Sequence, residues 1–253
     1  MTGFAILLRK ELLEQWRTRR LPVVAVVFLT FGIASPLLAR YLPEIVKSLG
    51  GAGFEIKIPE PTARDAIDQF LKNLGQAGVL TAILLAMGSV ANEKERGTAA
   101  LVLSKPASRA AFLVSKVVAI GTTLLVSVAV ASAAAYLYTA ILFPAPGALG
   151  WIGMTLLLLL SLLGYTALTL LGSTLTRSSV AAAGIGVGGL VGLALISALP
   201  NVARYTPGGL SGPGAALAAG ADAGELIGPV VANAGLVVGL VVVAWLAFRR
   251  QEL

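Results

Sequence analysis

Six apolar runs, near residues 21–39, 74–91, 117–142, 151–175, 180–199 and 229–248, dictate what this chain can fold into, because none of them contains an Asp, Glu, Lys or Arg. At a rise of ~1.5 Å per residue, each run is long enough, or nearly so, for a helix to cross the ~30 Å hydrocarbon core of a bilayer. Hydrophobic residues make up 57% of the chain and charged ones 12%, about half the share of roughly 25% in soluble domains. A water-soluble globule of this size cannot hide so much apolar surface. The expectation is an all-α integral membrane protein with six transmembrane helices, forming one transmembrane domain over residues 1–253.

The polar remainder lies between the runs. Residues 2–18 place Phe4, Leu7, Leu8, Leu12 and Trp16 at helical spacing, with Arg9, Lys10, Glu11, Glu14, Gln15 and Arg17 on the other side. This pattern predicts an amphipathic interfacial helix, too charged to span. A cleaved leader is the competing reading, and the charged lead-in of 20 residues argues against it. Residues 40–72 leave the membrane through Pro43, Gly50, Gly51, Gly53, Pro59 and Pro61, and Pro36 is expected to break or kink the first span. A short separate helix from Thr62 carries Ala66, Ile67, Phe70, Leu71 and Leu74 on one face, which fits a small outer lid or a passive connector. Residues 200–228 form a second outer segment rich in Gly, Pro and Ala. Tyr136 and Tyr138 fall near the outer end of the third span, where aromatic side chains favour the interface. In the fifth run Gly184, Gly188 and Gly192 make a small-residue stripe that lets another helix approach closely.

Charge sets the orientation. Thirteen of the 19 Lys and Arg lie in segments on the side of the two termini and six on the other, which places both termini in the cytoplasm. The net charge of +7 thus belongs to span flanks, and no long basic groove invites nucleic acid. With no His and no Cys in the chain, zinc proteolysis, His-based serine chemistry and thiol nucleophiles are excluded. There is no Gly-x-x-x-x-Gly-Lys-Ser/Thr phosphate loop either. The runs lack the buried charges that proton relays and voltage sensors need. The expected body has neither visible chemistry nor its own source of energy.

The dense polar stretch between the second and third runs, Asn92 to Arg109, mixes charges of both signs with Gly97 and Pro106. It parses as helix–turn–helix, with Asn92 as a cap for its start, Gly97 for a bend and Ser108 as a cap for the third span. From the residues alone, an ordinary solvated loop accounts for it equally well.

Glu93-x-Glu95-Arg96-Gly97-Thr98, followed by Leu103-Ser104-x-Pro106-x-Ser108-Arg109 and Lys116, resembles the segment between spans two and three of type-2 ATP-binding-cassette transporter permeases. Arg9-Lys10-Glu11-Leu12-x-Glu14-x-x-Arg17 resembles the elbow helix of the same family, and the likeness is nearest to its copper-accessory and sodium-efflux branches. The resemblance implies a cytoplasmic coupling helix seated on a separate ATPase subunit, with two permease chains and two ATPase subunits in the working unit. ATP and Mg would bind the partner, and this chain would hold no cofactor or metal and would not itself be an enzyme. Asn92, Glu93, Glu95, Arg96, Gly97 and Thr98 would lie at or near the ATPase contact. Lys10, Glu11, Glu14 and Arg17 would form the elbow. Pro106, Arg109 and Lys116 would form the loop-to-span junction, with Arg109 and Lys116 beside the lipid headgroups. An outer-surface accessory protein is a further candidate partner for residues 40–72. Two other readings stay open at this point: a stand-alone secondary transporter or channel, and a membrane scaffold for outer-surface proteins.

Overall fold

A computed structural model describes residues 3–49, 60–103 and 108–251. Every regular element among them is helical: α1 (Gly3–Arg17), α2 (Arg20–Leu49), α3 (Ala63–Met87), α4 (Ala91–Glu95), α5 (Thr98–Leu103), α6 (Arg109–Leu142), α7 (Ala148–Leu175), α8 (Ser179–Ser197), α9 (Pro200–Ala203), a 3₁₀ turn (Pro207–Leu210), α10 (Ser211–Ala218) and α11 (Ile227–Arg249). Six of these segments are long and apolar enough to cross a membrane, as expected. The chain is an all-α, multi-pass membrane protein.

Two boundaries differ from expectation. Helix α2 does not stop near residue 39 but runs through both Pro36 and Pro43 to Leu49. Within the span, ending the helix at Pro36 would strand several backbone groups in lipid, whereas an internal proline removes one bond, so continuation there is the cheaper choice. Nor is the helix from Thr62 a separate lid, because it is the first three turns of α3. Thr62 donates from its amide and its hydroxyl to the Asp65 carboxylate, each at 2.7 Å, and so starts the helix. From there to Met87 nothing breaks it. Ala66, Ile67, Phe70 and Leu74, all at 0% exposure, continue the same buried face down into the span. Phe70 stacks on Trp151 with ring centroids 6.0 Å apart. Gly50, Gly51, Gly53 and Pro59 lie outside the described residues.

The core is the meeting of α2, α3, α6 and α7, filled by Phe28, Phe70, Leu74, Leu124, Met154 and Leu162. Tyr136, half-buried near the outer end of α6, packs against this core edge-on to Trp151 at 5.4 Å, and its hydroxyl donates to Pro146 O at 3.3 Å. The Trp151 indole in turn donates to Ser132 Oγ at 2.8 Å. Small residues set the closest approaches. A Cβ on Gly32 would lie 2.4 Å from the Ala131 carbonyl oxygen, so α2 and α6 cross at backbone contact.

The second outer segment folds back against α7 as α9, the 3₁₀ turn and α10. Asn233 in α11 ties it down, donating from Nδ2 to Pro229 O at 2.9 Å and Tyr205 O at 3.2 Å. Helix α8 packs on α7 through Ala182, Gly186 and Gly189, where added Cβ atoms on the two glycines would strike Thr169 and Leu168. Gly184, Gly188 and Gly192 have nothing within 4 Å of an added Cβ. Among the described residues, the predicted stripe therefore makes no close helix contact. It lies on the opposite side of α8, because the intrachain seam is taken by Gly186 and Gly189.

Candidate functional site

At one end of the bundle the polar loop folds as α4 and α5. The turn between them passes through Gly97, whose φ of +68° favours a residue without a Cβ. Helix-turn-helix is what the sequence predicts, but the cap is different. Val90, not Asn92, precedes the first turn, and Asn92 lies across Gly88, where its amide fills the space an added Cβ would take. The free amides at the start of α4 are met from another helix instead. Val90 N and Ala91 N donate to Ser173 Oγ of α7 at 3.1 and 3.0 Å, and that hydroxyl donates on to Met87 O at 2.8 Å.

The charges of the loop divide by direction. Glu93 turns inward, and its Oε1 accepts from Lys116 Nζ at 2.7 Å and from Lys10 Nζ at 2.9 Å. Glu11 Oε1 accepts from the same two ammonium groups, each at 3.0 Å. The result is a closed square of two lysines and two glutamates that fastens α1, α4 and α6 together. Lys10 also reaches Glu14 at 3.6 Å. Lys116 is only 2% exposed, and its ammonium sits 4.8 Å from the Phe112 ring. The expectation that Lys116 meets lipid headgroups is thus wrong, because the buried Glu11 and the partly buried Glu93 carboxylates hold it inside the protein. Burial disfavours the charge on Lys10, but the Glu93 and Glu11 carboxylates outweigh that cost and hold its pKa above the usual lysine range.

Carboxylate oxygens of Glu11, Glu14 and Glu93 come within 4.8 Å of one another, which is close enough to share a cation. The cation there is the Lys10 ammonium, which contacts all three. Beside the square lies a cavity of about 330 Å³, bounded by Gln15, Arg20, Ser89, Asn92 and Arg96 among others. Glu93 Oε2 and Gln15 Oε1 are buried there without a hydrogen-bond partner among the described residues.

Lys94 turns toward the other side of the bundle. It donates to Thr174 O at 2.7 Å and to Gln251 Oε1 at 3.0 Å, and Gln251 Nε2 donates to the same Thr174 carbonyl at 2.9 Å. Arg109, also expected beside lipid, instead caps α11. One guanidinium nitrogen donates to the carbonyls of Phe248, Arg249 and Gln251 at 2.8–2.9 Å. It does so because the end of α11 leaves carbonyls without partners, and a fixed cation satisfies them. Arg109→Ala is expected to lower stability by about 2 kcal/mol, read as a lower melting temperature in detergent, with Arg109→Lys recovering part of the loss. Ser108 caps α6 as predicted, accepting from Ala111 N at 3.0 Å.

What remains for an outside contact is the tip. Glu95, Arg96 and Gly97 are exposed, and Leu101 on α5 is 69% exposed. Thr98 is half-buried and donates to Glu93 O at 3.2 Å. Pro106 lies outside the described residues. On α1, Glu11 and Gln15 point into the protein beside Leu7, while Ile6, Leu13 and Trp16 point away from it. Arg17 is exposed at the end of the helix. Sequence reading did not single out Ser173, Lys94, Gln251 or Gln15. For Gln15 a signal existed, since Leu7, Glu11 and Gln15 follow each other at intervals of four and so share a helix face with an apolar residue.

Comparison with known proteins agrees with this architecture. Residues 5–204, which hold most of α1, the polar loop and the first five spans, match the family described as "ABC-2 family transporter protein". The chain is also similar to the "Uncharacterized transmembrane protein YxlG" of Bacillus subtilis (strain 168), with 31% identity over 205 residues, covering 79% of each chain. The chain belongs to the ABC-2 family of transporter membrane proteins.

Proposed function

We propose that this chain is the permease subunit of an ATP-binding-cassette transporter, in which a separate ATPase subunit binds ATP and Mg and drives export or conformational signalling. The observation that carries the proposal is the division of the polar loop. Its tip, Glu95-Arg96-Gly97, faces outward, while its base is fixed by Glu93, Lys94 and the Ser173 contacts to α1, α6, α7 and the tail after α11. A push on such a tip moves the ends of several helices together, as rigid-body switching requires. On this reading both termini are cytoplasmic, the membrane is the plasma membrane, and α1 lies at its surface with Ile6, Leu13 and Trp16 toward lipid. The open face of α8 with Gly184, Gly188 and Gly192 suits a second copy of the chain. An outer accessory protein would meet the segment that includes residues 40–49 and 60–72.

The test is a charge swap at the tip, Glu95→Lys with Arg96→Glu, which leaves net charge and the buried square untouched. The amount of ATPase subunit that co-purifies with the chain from its native membranes is expected to fall about tenfold or more, with an unchanged melting temperature. Undiminished co-purification would overturn the coupling role.

A further inference from the structure

Away from the coupling end, a groove of about 410 Å³ opens between α3, α7 and α10, within the size range of small-molecule sites. Along α3 it extends from Arg64 to Val79, which at ~1.5 Å per residue is about 22 Å. That is roughly the depth of one leaflet with its headgroup layer. The ends differ in chemistry. Near the start of α3, Arg64 is paired with Asp68 at 3.3 Å, while Lys72 is exposed and has no ion-pair partner among the described residues. One turn deeper comes Gln76, near the level of Leu157 and Leu158 on α7, and below them the walls are Val79, Ser161 and Tyr165. The space is kept open by missing side chains: an added Cβ on Gly75 or on Gly212, which face the groove from opposite walls, would meet nothing within 4 Å.

We propose that this groove holds an acidic phospholipid, with its phosphate at Lys72, its glycerol esters level with Gln76 and an acyl chain between α3 and α7. Lys72 answers the phosphate, Gln76 one turn below answers the esters, and Leu157, Leu158 and Val79 give an acyl chain apolar contact. A free soluble anion would leave the apolar length unused, and in a zwitterionic lipid the head group's own cation competes with Lys72 for the phosphate. The proposal is independent of ATPase coupling.

The experiment is native mass spectrometry of the full chain, after exchange into micelles containing equimolar phosphatidylglycerol and phosphatidylcholine. The wild type is expected to retain phosphatidylglycerol about fivefold over phosphatidylcholine. Lys72→Glu should bring that ratio to about one, whereas Arg40→Glu, an exposed cation on α2, should leave it unchanged. Gly75→Leu, whose Cβ enters open space, should abolish retention of both lipids. Gly212→Leu fills it from the other wall and serves if the first variant folds poorly. Equal loss of preference in Lys72→Glu and Arg40→Glu would overturn the site, as would undiminished retention in both filled variants. A filled variant that changes the oligomeric mass while keeping its lipid would assign the groove to a second copy and overturn it too.

Discussion

Lys116→Met is expected to destabilise the protein by about 3–5 kcal/mol, and changing Glu11 and Glu93 to Gln in the same chain is expected to restore most of that loss. Lys116 is 2% exposed, and both carboxylates lie on its ammonium at 2.7 and 3.0 Å. Removing it leaves two buried anions facing each other with Lys10 as the shared counter-ion, and Lys10 keeps 43% of its side chain in solvent. An uncompensated buried charge costs far more than the intact pair contributes, so the neutral triple variant should outlast the single one. Unfolding in mixed micelles, followed by near-ultraviolet circular dichroism, measures both. If Lys116→Met alone melted like the wild type, the square would be a surface feature without structural weight.

Gly32→Leu is the second large effect, expected to cost about 3 kcal/mol or more. The first atom of the new side chain would stand 2.4 Å from Ala131 O, and backbone cannot yield as a side-chain tip can. Helices α2 and α6 would have to separate along a seam that includes Phe28, Leu124 and Val128, losing close packing where lipid offers no hydrophobic compensation. Gly32→Ala meets the same oxygen and should already be costly. Gly184→Leu is the contrast. With open space around it, it should leave the melting temperature of the single chain unchanged while weakening any pairing of two copies through α8.

The sequence makes some of this architecture readable and hides the rest for physical reasons. Apolar runs without charge give the six spans, because lipid selects strongly on composition. Ser108 and Gly97 were legible because caps and left-handed turns are local events. Continuity across Pro36 and Pro43, and from the helix start at Thr62 down into the second span, was not, since it depends on the surroundings rather than on the residues themselves. The buried square was hidden for a different reason. Glu11 and Lys116 stand 105 positions apart and Lys116 and Glu93 23 apart, and their charges looked like ordinary flanks of spans. Only folding reveals that Glu93 points inward while Glu95 and Arg96 do not. The glycine stripe of α8 announced a close helix contact, but the side that meets α7 is set by the fit of Gly186 and Gly189 against Thr169 and Leu168, and the stripe itself meets no described residue.

The central claim is that the loop is a handle, gripped at its tip and fixed at its base. Site-specific photo-cross-linking in native membranes tests it most directly, with a photoreactive residue placed at Arg96 in one chain and at Lys94 in another. Arg96 is exposed, whereas Lys94 is held against Thr174 and Gln251. The account predicts a cross-link from position 96 to an ATP-binding-cassette ATPase and, from position 94, only cross-links within the chain. An ATPase cross-link from position 94 with none from position 96 would contradict it, and so would the absence of any ATPase product from either.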